Sequence, residues 1–178
     1  AAVSLIGISP LVAAVNNDAP FKSASQLIDY ARKNPGKISY GSSGNGSAVN
    51  LTTELLKSMT QTDMVHVPYK GSAPALNDLM GGHIQLFMDA AVGLIGPGKA
   101  GKVRLIGVAS EKRLSVLPEV PTFIEQGILG FTGSTWAGIL APAGTPPAII
   151  KRVADEVAAI VKLDDVKFRH APSAPDFS

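Results

Sequence analysis

Short apolar runs of β character alternate with amphipathic helical stretches along the whole chain, and this alternation limits the possible folds more than any other feature. The runs fall at Val3–Val15, Ile38–Tyr40, Val65–Tyr69, Ile84–Met88, Val103–Ala109 and Trp136–Gly144. The first, "VSLIGISPLVAAV", is interrupted by Gly7 and Pro10 and reads as two consecutive strands, too short to cross a bilayer. Between the runs, Ser23 and Gln26 form a capping box for a helix reaching Lys33, where "NPG" stops it. Leu51, Leu55, Leu56 and Met59 predict a helix from Ser47 to Met59, and Ser72–Pro74 opens another that ends at Gly81–Gly82. A short helix is expected at Ala91–Ile95, ending at "GPGKAGK", and a second short one between Pro121 and Gly127. Thr145 is expected to cap a last helix with Pro146 at its first position and Ile149, Val153, Val157 and Ile160 on one face. The closing "HAPSAPDFS" reads as a tail.

Strands alternating with helices imply an α/β fold, a mainly parallel sheet covered by helices. Such sheets take ligands beyond the carboxyl ends of their strands. Three features fall at such ends: the loop Gly41–Ser47, the turn Tyr69–Ser72, and Asp89. They are expected to meet in space.

Composition removes several classes of function. The net charge is only +2, with no run of five Lys or Arg, which argues against a nucleic-acid surface. With no cysteine, disulfides, thiolate catalysis and Cys-ligated zinc are excluded. His66, His83 and His170 stand in neither H-x-x-H nor H-E-x-x-H spacing, so no metal site is expected, and each reads as a structural or surface histidine.

The loop "YGSSGNGSAVNLTTELL" decides among the remaining chemistries. Glycines that feed a helix N-terminus make an anion site, because unpaired N–H groups and the helix dipole point the same way. Gly41 and Gly46 have the P-loop spacing, but Ser47 and Ala48 stand where lysine and a hydroxyl are needed. A dinucleotide fingerprint fails at Val49, and a nucleophile elbow around Ser43 fails at Asn45. No nucleophile, base or carboxylate couple stands out, so no catalytic residue and no cofactor are expected. Binding is what remains.

Four stretches taken together resemble one family: the glycine loop, "HVPYKGSAPALNDLMGGHIQLFMDA", "GKVRLIGVASEKRLSVLPEVPTFIEQG" and "TWAGILAPAGTPPAIIKRV". They are similar, in order and spacing, to the Bug family, the TctC-like periplasmic solute-binding proteins of tripartite tricarboxylate transporters. The resemblance runs from about Val3 to Val161; the tail from Lys162 departs from it. It implies a two-lobed fold of the type II periplasmic-binding-protein kind that closes on a small carboxylate. The family chain is longer at both ends. Residues 1–11 are then a crossover strand from the first lobe, 12–130 a nearly complete second lobe, and 131–178 the crossover and return to a partial first lobe.

The resemblance also implies roles. Ser42, Ser43, Gly46 and Ser47 supply hydroxyl and backbone donors to a ligand carboxylate, Tyr69, Lys70 and Gly71 form a turn facing the cleft, and Asp89 is a strand-end acceptor. Asn50 stands where histidine is expected in many relatives, so ligand preference is expected to differ. The implied partners are a small carboxylate and the permease subunits of a tripartite transporter, in the periplasm, with no nucleic acid and no membrane insertion. Other readings stay open. The fold type could serve an enzyme acting on an anionic substrate, with Asp89 as base, or a sensing module for a signalling partner. The glycine loop could be only a tight turn, Lys70 a solvated charge, Asp89 a helix cap, and the Tyr69 hydroxyl satisfied internally. Trp136, the only tryptophan, is expected to pack in the core.

Overall fold

The computed structural model describes residues 1–163; the expected tail and His170 lie outside them. Six strands and five helices follow in the order β1 (Ala2–Val15), α1 (Ala24–Lys33), β2 (Ser39–Ser42), α2 (Ala48–Thr60), β3 (Val65–Pro68), α3 (Ser72–Met80), β4 (Leu86–Ala90), α4 (Ala91–Lys99), β5 (Arg104–Val108), β6 (Ser134–Leu140) and α5 (Pro147–Ile160). The sheet order is β3-β2-β4-β1-β5, and β6 pairs with β1. Strands β2, β3, β4 and β5 all point one way. The exception is β1, which runs antiparallel to β4, β5 and β6, so the expected α/β sheet has an antiparallel strand at its centre that the sequence did not mark.

β1 is one strand of 14 residues, not two. Its first part, through Pro10, pairs with β6, and Leu11–Val15 lies between β4 and β5. Gly7 does not break it, because register shifts beside Ser4 and Gly7 absorb the irregularity as bulges and let the strand bend. Leu11 to Val15 are completely buried, under a core that includes Phe21, Leu27, Tyr40, Leu56, Phe87 and Phe123.

The helices begin largely where the caps predict. Ser23 accepts from the Gln26 N–H at 3.2 Å, although the Gln26 side chain reaches back to Lys22, not Ser23, at 2.8 Å. Three expectations fail for physical reasons. α4 runs through Pro97 to Lys99, because Gly98 lets the helix press onto β5: a Cβ there would lie 2.8 Å from Leu105. No helix forms after Pro121. Val108 forms a parallel bridge with Thr122 across that segment (Val108 N–H to the Pro121 carbonyl and Phe123 N–H to the Val108 carbonyl, both 3.0 Å), leaving only a turn closed by Thr122 and Glu125. Thr145 does not cap α5; its hydroxyl donates to the Pro142 carbonyl. Pro147 holds Pro146 in an extended conformation (ψ 137°), so Pro146 takes the cap position and the helix starts at Pro147.

Trp136 is not in the core. It is 65% exposed on β6, where Leu140 is open too, and Ile149 and Ile160 of α5 are also exposed.

Candidate functional site

The chain steps from β2 outward to β3, then back across β2 to β4, and onward over β1 to β5. With right-handed crossovers, the reversal at β3 puts α2 on one face of the sheet and α3 and α4 on the other. Adjacent β2 and β4 therefore send their following loops to opposite faces. The space between their carboxyl ends is the topological position where open α/β sheets take ligands. Its two banks are the loop after Ser42 and the strand end at Asp89.

The three expected features do meet there. The Tyr69 N–H donates to the Ser42 carbonyl at 3.0 Å, which ties the β3 turn to the glycine loop. Gly41 is required for close approach: a Cβ would lie 2.6 Å from Ile84 Cδ1 and 3.3 Å from the Tyr69 ring. On the other bank, α3, which opens at Ser72, packs against β4, whose end carries Asp89. Three helix N-termini, those of α2, α3 and α4, open at this rim, each carrying roughly half a positive charge. The caps of α3 and α4, Gly71 (φ 112°) and Ala90, offer no capping side chain, so neither blocks its helix end.

The hydroxyls of the glycine loop divide into committed and free. Ser42 is fully buried, and its Oγ is shared among His66 Nε2 (2.6 Å), the Gly44 carbonyl (3.0 Å) and the Gly44 N–H (3.2 Å). The Gly46 N–H donates to Asn50 Oδ1 at 3.0 Å. Ser47 caps α2 by accepting from the Asn50 N–H at 3.2 Å, which leaves its own proton to donate. Ser43 is partly exposed and has no hydrogen bond among the described residues. The free donors are thus Ser43 and Ser47; Ser42 and Gly46 shape the loop.

In the second turn, the Tyr69 hydroxyl is turned away from the rim and donates to Asp78 Oδ2 at 2.6 Å. Burial, with the neighbouring Asp78 carboxylate, pushes its pKa up to about 12. Lys70 is exposed, with no ion pair among the described residues, so it adds charge at the rim without a fixed partner. Asp89, opposite Val12 in the sheet, accepts from the Ala90 N–H at 2.9 Å. Burial raises its pKa, while the Ala90 N–H and the Ser72 hydroxyl work the other way. No cation stands against it among the described residues, so it is a carboxylate prepared to accept a proton donor.

Two residues at the site were missed by sequence reasoning. Tyr40 and His66 stack with ring centroids 4.9 Å apart beneath the loop. Tyr40 donates to Glu54 and accepts from the Asn50 amide at 2.9 Å, so Asn50 braces the loop from inside. Burial, with the Glu54 contact, holds the Tyr40 hydroxyl far above its ordinary pKa. The strand pairing that sets Tyr40 opposite His66 was the available signal. Two cavities, of about 240 and 330 Å³, lie elsewhere, beside Ile128–Leu129 and beside α4 and β5. None of the candidate residues lines either one.

No group of three or more His, Asp or Glu side chains is placed to hold a metal among the described residues. No described helix is long and apolar enough to cross a membrane.

Residues 1–168 match the family described as the tripartite tricarboxylate transporter family receptor. A protein of Pseudomonas sp. strain P51, described as the UPF0065 protein in the tcbD–tcbE intergenic region, is 38% identical over 165 residues; the match covers 92% of this chain and 49% of that one. The chain spans about half the length of the curated relatives it matches. Among solved structures, an R. palustris protein with adipate superposes with a TM-score of 0.92 at 36% identity, over 98% of this chain and 59% of that one. MatC from Rhodopseudomonas palustris with bound malate does so with a TM-score of 0.92 at 28% identity, over 97% and 60%. The fold class is therefore that of periplasmic binding proteins of this kind.

Proposed function

Because the chain belongs to the tripartite tricarboxylate transporter receptor family, we propose that it is a non-enzymatic periplasmic receptor that captures a small carboxylate and delivers it to the permease of such a transporter. The observation that carries this reading is the meeting of loops at the carboxyl ends of β2 and β4. Three helix N-termini and the free hydroxyls of Ser43 and Ser47 gather there, while the Ser42 hydroxyl that contacts His66 is fully buried, out of reach of a substrate. Unpaired N–H groups and hydroxyl protons suit a carboxylate oxygen. Two structural neighbours are described with adipate and with malate, which directs the choice of ligand to small dicarboxylates.

On this reading Ser43 and Ser47 contact the ligand, Ser42 and Gly46 hold the loop, Lys70 steers anions to the rim, and Gly71 opens the end of α3. Asp89 accepts from a ligand hydroxyl, from a protonated carboxyl, or from a bridging water. We further assign residues 12–130 to one lobe, with residues 1–11 and the chain from 131 reaching toward another. The open apolar face of β6 and α5 is where that other lobe packs, in keeping with relatives of about twice this length.

A thermal-shift screen with adipate, malate, other mono-, di- and tricarboxylates, phosphate and nucleotides tests the assignment. A ligand at a hundredfold its dissociation constant adds about 2.7 kcal/mol. The expected result is a shift with carboxylates only, lost in a Ser43→Ala Ser47→Ala variant. A shift with nucleotides alone overturns the reading.

A further inference from the structure

We propose that His66 is a positioning residue for the glycine loop, and that gaining a proton there swings the Ser42 hydroxyl from the His66 ring to the Gly44 carbonyl. The inference deepens the receptor reading, since it concerns the loop assigned to the ligand.

The argument starts from the count of protons around Ser42 Oγ. Within reach are one ring nitrogen at 2.6 Å, one carbonyl at 3.0 Å and one N–H at 3.2 Å. A hydroxyl donates once and accepts up to twice. With His66 Nε2 unprotonated, the hydroxyl donates to the ring and accepts from the Gly44 N–H. Once Nε2 carries a proton, two donors cannot face each other at that distance. The ring then donates, Ser42 accepts from both the ring and the Gly44 N–H, and its own proton turns to the Gly44 carbonyl. Ser42 Oγ, His66 Nε2 and the Gly44 N–H are bonded in both states, and the Gly44 carbonyl accepts from the Ser47 N–H at 3.3 Å, so the change requires no rupture of the site. It gives the Gly44 carbonyl a new donor, and it makes the acceptor of the Gly44 N–H take a second proton from the ring, one residue from Ser43.

The ring is held for this role. Tyr40 stacks on it nearly parallel, with 18° between the planes. The same tyrosine is fixed by Asn50, whose side-chain oxygen takes the Gly46 N–H. Gly44 and Gly46 are therefore both anchored to one scaffold of Tyr40, His66 and Asn50 under the sheet edge. Gly44 (φ 133°) and Gly46 (φ 72°) have backbone conformations that need such fixing, because glycine alone selects neither. The titratable and charged groups facing His66 are Tyr40 from β2 and, from α2, Glu54, which is bonded to Tyr40, and Lys57, which pairs with Glu54 and sits 5.6 Å from the Tyr40 ring centre.

The test is an NMR titration of the isotope-labelled chain across about pH 5–8, the range in which histidine changes charge. The His66 ring protons and the Gly44 and Gly46 amides are followed, with no ligand present. The expected result is a Gly44 amide that moves with the same midpoint as the His66 ring. In Ser42→Ala the ring still titrates while Gly44 stays flat, and in His66→Phe, which keeps an aromatic ring for stacking, Gly44 is flat as well. A Gly44 amide that ignores the His66 titration in the parent chain overturns the proposal, as does one that still follows it in Ser42→Ala. Adipate added to the same samples tests the receptor reading separately, through the Ser43 and Ser47 resonances. Their failure to move counts against adipate binding and leaves the proton coupling standing or falling on the Gly44 data.

Discussion

The two parts of β1 obey different rules, although no break in the backbone separates them. Leu11–Val15 lies between β4 and β5 with every side chain sealed. Ala2–Pro10 has a single neighbour, β6, and leaves Leu5 and Ile8 substantially open. The sequence is comparably apolar on both sides of Pro10, so hydrophobicity does not make the difference. What differs is the number of layers available to cover each part. The sealed part also fixes the candidate site, since Val12 is the sheet partner of Asp89. The open part leads away from the site, and it shares its apolar exposure with Trp136 on β6 and with α5.

The largest effect expected from this contrast comes from one substitution made at two places. Leu11→Ala removes a fully buried side chain and should cost about 3 kcal/mol, the middle of the range for a buried leucine. Leu5→Ala, on a residue 45% exposed in the same strand, should cost under about 1 kcal/mol. Urea denaturation of both variants measures the contrast, and equal losses would erase it. Next in size is Gly133→Ala, at the junction of the two parts, where the Gly133 carbonyl accepts from the Leu11 N–H. The new methyl would sit 2.3 Å from Thr52 Cγ2, and α2 would have to move, at about 1–3 kcal/mol. Because Thr52 lies one turn into α2, the same variant should also disturb amide resonances around Ser47, which NMR would register. A silent substitution would mean that the junction does not couple to the site.

The sequence announced the layers and missed the register. Alternating runs were enough for an α/β sheet with the candidate loops at the ends of β2, β3 and β4, and helices start at Ser23, Ser47 and Ser72 as expected. The antiparallel placement of β1 was not legible, because a fully buried strand reads the same in either direction. Nor was the passage of α4 through Pro97, which depends on Gly98 meeting Leu105, a contact between segments that no local pattern contains. At the site, the residue types were legible but not their commitments. Ser42 and Ser43 are neighbours with the same hydroxyl, and alternation along β2 turns Ser42 under the sheet toward His66 while Ser43 stays at the rim. Tyr69 was expected at the cleft, and one hydrogen bond to Asp78, nine residues on, turns its hydroxyl away. Each such difference comes from tertiary geometry acting on a side chain that could have served either purpose.

A smaller effect, with the opposite sign, is expected at Asp89 in the sealed region. Burial raises its pKa in the folded chain, so folding favours the protonated form. The stability this group supports is complete below the ordinary carboxylate pKa and is lost as pH rises through the raised folded value. At neutral pH the ionised carboxylate therefore weakens the fold, and Asp89→Asn should raise the melting temperature there. The gain should shrink on acidification toward pH 4 and below, where the parent carboxyl is itself neutral. A neutral-pH melting temperature that falls in the variant would mean that the carboxylate is held by a favourable partner, against the description of Asp89 as a free acceptor.

The smallest effect belongs to the open face. Ile149 on α5 is 53% exposed, so Ile149→Ser removes little buried surface and should change the stability of this chain by no more than about 0.5 kcal/mol. Denaturation at several protein concentrations makes the measurement decisive. A loss of 2 kcal/mol or more that grows with concentration would mean that a second copy covers the face in solution. A large loss independent of concentration would mean that α5 packs more tightly onto β1 than its exposure indicates. Should the small value hold, the apolar side chains of α5 contribute almost nothing where they stand. Their spacing then makes sense only against a further layer, and the contrast along β1 becomes one between a finished interface and a prepared one.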